Sequence, residues 1–207
     1  MSTDALDGAR PQTRTSRKRH AVLDAARRVF TDKGYNASME EVAFEAEVSK
    51  QTIYNQFGSK EQLFHAMIED KVSEMIAPIT AAAPDADPRD VLMEIGRNYH
   101  TKVIAPDNVK MIRALLLAPN ATAVLRELYS HGPSRFARTF ADWLAVQHEK
   151  GRLRVDDPIL AAEHFVTFTF GSLFLKRLYG VPAPLDMEDA ERRVAYCVGA
   201  FLRAHAP

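Results

Sequence analysis

The sequence predicts an all-helical protein, and three observations predict it. Apolar residues recur at helical spacing from about residue 17 to the last twenty residues. Cap signals punctuate the chain, and Asp-Pro pairs at 87–88 and 157–158 each place a proline at a first helical position. No segment sustains the apolar–polar alternation of a half-buried strand.

The elements follow in order. Residues 1–16 are polar, carry Pro11 and show no periodicity, so they read as a mobile tail. Val22, Ala25, Ala26, Val29 and Phe30 form the stripe of a first helix, and Gly34 stands where a C-terminal cap glycine belongs. Three caps then come in succession: Ser38 with Glu41, Ser49 between Val48 and Ile53 as a hydrophobic staple, and Ser59 with Gln62. Caps about ten residues apart leave helices of two turns or so, which are marginal alone and must hold one another. Val42, Ala43, Val48, Ile53, Phe57, Leu63 and Phe64 supply that shared core. A long helix from Ser59 carries Phe64, Met67, Ile68, Val72, Met75 and Ile76 on one face as far as Pro78, and the proline-rich AAAPDADP follows. Helices are expected over about 87–104, 107–117 and 120–130, then, beyond the break at His131-Gly132-Pro133, to Gly151, over 157–179 and over 186–204. A division of the chain into 17–62 and 63–207 falls on the long helix.

The segment VSKQTIYNQFGSKEQLF, residues 48–64, holds the functional signal. Two short helices joined by a tight turn, the second polar, describe a helix-turn-helix, whose second helix enters the DNA major groove N-terminus first. Lys50, Gln51 and Thr52 then reach base edges, with Tyr54 and Asn55 further along. Lysine and glutamine can bond purine edges, and a threonine methyl fits thymine. Tyr54 and Lys60 suit phosphate oxygens, and Ser38 and Ser49 join the DNA-facing set at the helix starts. The competing reading is a solvated helical hairpin inside a bundle. Residues 10–60 hold ten Lys/Arg and six Asp/Glu, so this part is +4 and the rest of the neutral chain −4. That bias favours phosphate without proving it. Arg17, Lys18 and Arg19 form either a DNA-contacting arm or a solvated tail.

The run from Ala21 to Phe64 resembles the N-terminal DNA-binding domain of the TetR/AcrR family of bacterial transcriptional regulators. The resemblance is carried by Ser49, Lys50, Thr52, Ile53, Tyr54, Phe57, Ser59, Lys60 and Leu63. It implies a homodimer on a roughly palindromic double-stranded operator, commonly a repressor that a small ligand releases. It further implies a C-terminal helical domain for ligand binding and dimerisation. Two positions depart from the family pattern: Glu47 stands where the turn is commonly glycine, and Gln51 replaces a frequent glycine in the reading helix. A non-glycine residue at positive φ costs roughly 1 kcal/mol.

The resemblance also places dimerisation on the last two long helices. Gly171, Phe174, Val194, Val198 and Phe201 are the expected interface, against the alternative that this stripe packs within one subunit. Tyr99, Phe136, Phe140, Trp143, Phe165, Phe168 and Phe170 are candidates to line an apolar or aromatic ligand pocket, with His100, His131 and His164 as hydrogen-bonding partners, although such a stripe also suits plain core and a scattered histidine a structural role. Ligand release would work as a population shift, with the long helix from Ser59 as lever and a pivot at Pro78.

Other classes are expected to be absent. The chain lacks glycine-rich phosphate loops, HExxH and GxSxG, so no enzyme is expected, nor any cofactor. His100, His131 and His164 share no metal-ligand spacing, and no metal is expected. The single Cys197 and the absence of an apolar run after the N-terminal arginines fit a cytoplasmic protein, and no stretch is long enough to span a membrane. The alternative function is a ligand-independent DNA-binding activator or architectural factor.

Overall fold

The computed structural model describes residues 14–183 and 186–207. Ten α-helices follow one another, with no strand among the described residues: α1 (Arg14–Lys33), α2 (Met39–Glu45), α3 (Lys50–Phe57), α4 (Lys60–Thr80), α5 (Pro88–Lys102), α6 (Pro106–Leu116), α7 (Ala121–His131), α8 (Pro133–Glu149), α9 (Pro158–Leu178) and α10 (Met187–Ala204). The all-helical expectation holds. No single helix among the described residues is long and apolar enough to cross a membrane.

Most boundaries fall within two residues of their sequence signals, and two differ in an informative way. Helix α1 starts at Arg14. Three residues of the expected tail and the Arg17–Arg19 cluster are therefore helical, while residues 1–13 of that tail lie outside the described residues. Helix α4 does not stop at Pro78 but runs through it to Thr80. Proline has no N–H for the carbonyl four residues back, which is that of Glu74. The Asn98 side chain on α5 donates to this carbonyl at 3.2 Å. The orphan acceptor is thereby satisfied, and the expected pivot at Pro78 is an unbroken helix tied to its neighbour.

The short helices hold one another as their length requires. Ile53 of α3 and Leu63 of α4 are fully buried, and Phe30 of α1 meets Phe64 of α4 edge to face at 5.3 Å. Truncating Ile53 to alanine would remove about 2–5 kcal/mol, enough to unseat a two-turn helix. Gly34 ends α1 with φ +60, and a Cβ there would lie 2.8 Å from the Ala114 carbonyl oxygen of α6. Glycine is required twice over, for the left-handed turn and for the approach of α6.

The C-terminal helices bury a second set of aromatics. Phe140 of α8, Phe165 of α9 and Phe201 of α10 form a chain of edge-to-face contacts at 5.4 and 5.2 Å. Helix α10 packs on α5 and α9. Val194, Val198 and Phe201 are 1, 0 and 7% exposed. Within the subunit these three residues of the expected interface face its own core, on the side that α5 occupies.

Candidate DNA-reading helix and effector cavity

The reading segment is built from its caps. Ser38 and Glu41 form a full capping box: Ser38 Oγ accepts from the Glu41 N–H at 3.2 Å, and the Ser38 N–H donates to Glu41 Oε2 at 2.8 Å. The Lys33 ammonium, and next the Ser38 backbone, hold the Glu41 carboxyl down to about 2. Ser49 caps α3 by accepting from the Thr52 N–H at 3.1 Å, and its hydroxyl lies 2.8 Å from Thr52 Oγ1. Between the two helices Glu47 adopts φ +53, the one positive φ outside glycine among the described residues. The turn keeps the left-handed geometry that commonly selects glycine, and Glu47 bears the strain.

Helix α3 separates its faces cleanly. Ile53 and Phe57 point inward, while Lys50, Gln51, Tyr54 and Asn55 are exposed and Ser49 and Thr52 flank them. Gln51 Nε2 donates to Asn55 Oδ1 at 2.8 Å, one turn along. That pairing holds both amides on the outer face, where they can exchange one another for base edges. Lys50 donates to the Glu40 carboxylate and lies 5.8 Å from the centre of the Tyr54 ring. Its ammonium keeps the Glu40 carboxyl below the usual carboxylate range.

Lys60, the expected phosphate ligand, rests on the turn after α1. Its ammonium donates to the Tyr35 backbone carbonyl and sits 4.5 Å from the centre of the Tyr35 ring. Burial pushes its pKa down. The side chain ties α4 to the turn after α1 and is half-buried. Arg19 similarly lies on the Phe57 ring, 4.6 Å from its centre, so this member of the basic cluster clasps α3 from α1.

A cavity of about 570 Å³ opens between α4 and the helices facing it. Its walls include Met67, Val72 and Met75 of α4, Tyr99 of α5, Met111 and Ile112 of α6, Phe136 of α8 and Val166 of α9. This size suits a small organic molecule. Tyr99 and Phe136 meet edge to face at 6.4 Å, and burial pushes the Tyr99 hydroxyl up to about 12.

The other pocket candidates lie elsewhere. Phe140 and Phe165 are packed in the core, and Trp143 stacks on Phe140 at 6.0 Å. His164 and Phe168 are exposed, and the Phe170 side chain is outside the described set. Both His100 ring nitrogens are buried away from the cavity without a hydrogen-bond partner among the described residues. Burial, and then Arg177 and Arg193, lower its pKa.

Sequence reasoning missed the charged side chains of the cavity, which are Arg27, Lys71, Glu74, Lys102, Asp107 and Glu163. Lys71 of α4 enters its wall and donates to Asn108 Oδ1, while Asn108 Nδ2 donates to the Val103 carbonyl at 2.6 Å. No ion pair to Lys71 occurs among the described residues. Burial, reinforced by Arg27, pushes its pKa down to about 7. The available signal was Lys71 next to the apolar α4 face (Met67, Ile68, Val72, Met75), which reads equally well as a solvated flank.

Comparison with known proteins now bears on this geometry. The family described as "Bacterial regulatory proteins, tetR family" matches residues 22–67, and "AefR-like transcriptional repressor, C-terminal domain" matches residues 90–207, more than half the chain. The chain belongs to the TetR family. It is a transcriptional regulator with a DNA-binding helix-turn-helix, and not an enzyme. A solved structure from Mesorhizobium loti assigned to the TetR family superposes with a TM-score of 0.75 at 26% identity, covering 94% of this chain and 100% of that one. The Flavonoid-responsive Regulator FrrA gives 0.68 at 28% identity, covering 92% and 98%. The HTH-type transcriptional activator FasR of Mycolicibacterium smegmatis is 38% identical over 66 residues, which is 31% of this chain and only 30% of that protein.

Proposed function

We propose that the chain acts as a homodimeric repressor on a two-fold operator, and that an amphiphilic effector with one acidic oxygen releases it. The observation that carries this reading is the placement of Lys71. It is a partly buried cation whose ammonium donates to the neutral Asn108 and touches no carboxylate among the described residues, although Glu74 acts on it across a largely apolar cavity that Arg27, Lys102, Asp107 and Glu163 also line. Burying a charge without a carboxylate in contact is costly. An acidic group on an apolar body supplies that contact and fills the methionine- and aromatic-lined space. The name of the structurally similar Flavonoid-responsive Regulator FrrA supports an aromatic body with acidic hydroxyls. Similarity to a repressor's C-terminal domain over residues 90–207 supports repression.

The coupling runs along α4. This helix begins three residues after α3 ends and forms one wall of the cavity from Met67, seven residues into its length. An effector that binds better to a conformer with displaced α4 shifts the population away from the spacing that two half-sites demand, about 34 Å between reading helices. Gln51, Thr52 and Asn55 read bases, Lys50, Tyr54 and Ser49 contact nearby base edges or phosphates, and Ser38 sets the entry of α2. Selection of bound duplexes from a random pool tests the first half, with an inverted repeat as the expected product. Titration of naringenin and decanoate into the protein–operator complex tests the second. Enrichment of no sequence would end the operator reading, and a complex that survives saturating amounts of both compounds would end the amphiphilic-acid reading.

A further inference from the structure

Helices α4 and α7 cross where two histidines and a carboxylate meet, away from both the reading helix and Lys71. His65 of α4 and His131, the last residue of α7, stack ring on ring with centroids 4.1 Å apart and 17° between planes. Glu127, one turn before His131, reaches both. Its Oε2 lies 3.2 Å from His65 Nε2 and 3.6 Å from His131 Nε2. On the opposite edge, His131 Nδ1 faces Glu69 Oε1 at 3.5 Å, and Glu69 is one turn beyond His65. Each helix thus presents a histidine and a glutamate four residues apart, a spacing that puts both on one face.

The same four side chains hold the donor set of a small metal site. The rings stack nearly parallel, so a turn of one imidazole about its side-chain torsions is what brings both Nε2 lone pairs and the carboxylate oxygen onto one point. One donor atom each from His65, Glu127 and His131 lies within 4.8 Å of the others. Tetrahedral zinc, with bonds near 2.0–2.2 Å, separates neighbouring donors by about 3.3 Å. The two distances to Glu127 bracket that value.

We propose that His65, Glu127 and His131 bind a divalent transition-metal ion, with zinc the best match to two imidazoles and a carboxylate and the fourth position open to water. Glu69 orients His131 by accepting from its Nδ1–H, the role that outer carboxylates play around metal-bound histidines. Glu127 is half-exposed, so the ion has a path from solvent. Bound there, it clamps α4 to α7 one turn beyond the start of α4.

The test uses untagged full-length protein stripped with chelator and titrated with zinc. One equivalent per chain is expected. Cobalt in its place should give the intense visible absorption of a four-coordinate centre. His65→Ala and His131→Ala should each abolish both signals, and Glu69→Gln should weaken binding about tenfold. Should either histidine variant fail to fold by circular dichroism, Glu127→Gln, at an exposed position, takes its place and should lower affinity at least tenfold with helix content unchanged. No stoichiometric binding at micromolar zinc, or binding that survives these substitutions, overturns the proposal.

Discussion

Lys71 and Asn108 are joined across the wall of the cavity, the ammonium of α4 donating to the side-chain carbonyl at the start of α6. Burial holds Lys71 near 7, well below an ordinary lysine, so it changes charge where most ligand assays are run. An ionised acid prefers the protonated form. Its affinity is therefore expected to be flat below about pH 7 and to fall about tenfold per unit above it, until the pKa of the complex is reached. Without effector the sign reverses. The unfolded chain binds the proton that the folded chain lacks, so stability rises from about pH 7 towards the ordinary lysine value. Lys71→Met should flatten both profiles. Calorimetry with decanoate and thermal melts across that range read the two effects, and a pH-independent decanoate affinity in the unsubstituted protein would remove Lys71 from the site.

The Lys50–Glu40 pair predicts a gain rather than a loss. Both side chains are about half exposed, and the carboxylate stands beside the face proposed to meet DNA. Glu40→Gln removes a negative charge and releases Lys50 for a phosphate. Binding to any duplex should tighten, and the dependence on salt should steepen by about one unit. Gln51→Ala should instead alter which sequences are preferred. Fluorescence anisotropy over a salt series separates them, and an unchanged slope for Glu40→Gln would mean that Lys50 does not reach the backbone.

The sequence was most legible where the physics is local. Ser38, Ser49 and Ser59 cap their helices at the expected places, because a capping oxygen needs only the next three residues. What it concealed depends on partners far along the chain. The contact of the Lys60 ammonium with the Tyr35 carbonyl spans 25 residues, which no local pattern announces. Val194 and Val198 looked like an interface because an apolar stripe does not declare whether its partner is the same chain. The cluster of His65 with His131 could not be read at all, since 66 residues separate the two rings that α4 and α7 bring together.

Glu47 offers a test of stored strain. Its φ of +53 is the left-handed region, where a side chain costs about 1–2 kcal/mol relative to glycine. Glycine also loses about 0.4–1 kcal/mol through the freedom it gives the unfolded chain. Glu47→Gly should therefore stabilise the protein by about 0.5 kcal/mol, small but of definite sign. Chemical denaturation of the full chain measures it. A loss of stability would mean that Glu47 makes an interaction stronger than the strain it bears.

The dimer prediction turns on which apolar residues face water. On α9 and α10 the exposed ones among the described residues are Ile159, Leu160, Phe168 at 58%, Leu175, Met187 and Tyr196 at 67%, and of these the rings of Phe168 and Tyr196 lie 6.4 Å apart. Val198 on the same helix as Tyr196 is fully buried. Adjacent large apolar side chains left on a surface mark an interface more often than chance exposure does. Phe168→Asp with Tyr196→Asp should then yield a folded monomer whose operator affinity collapses, because one reading helix alone spans only a half-site. Val198→Ala should cost about 1–3 kcal/mol of stability, since it empties core volume, and leave the folded protein dimeric. Sedimentation equilibrium distinguishes the two faces. Were the double aspartate variant still dimeric, and the Val198 variant dissociated, the interface would lie on the buried stripe after all and α10 would have to turn on its axis to form it.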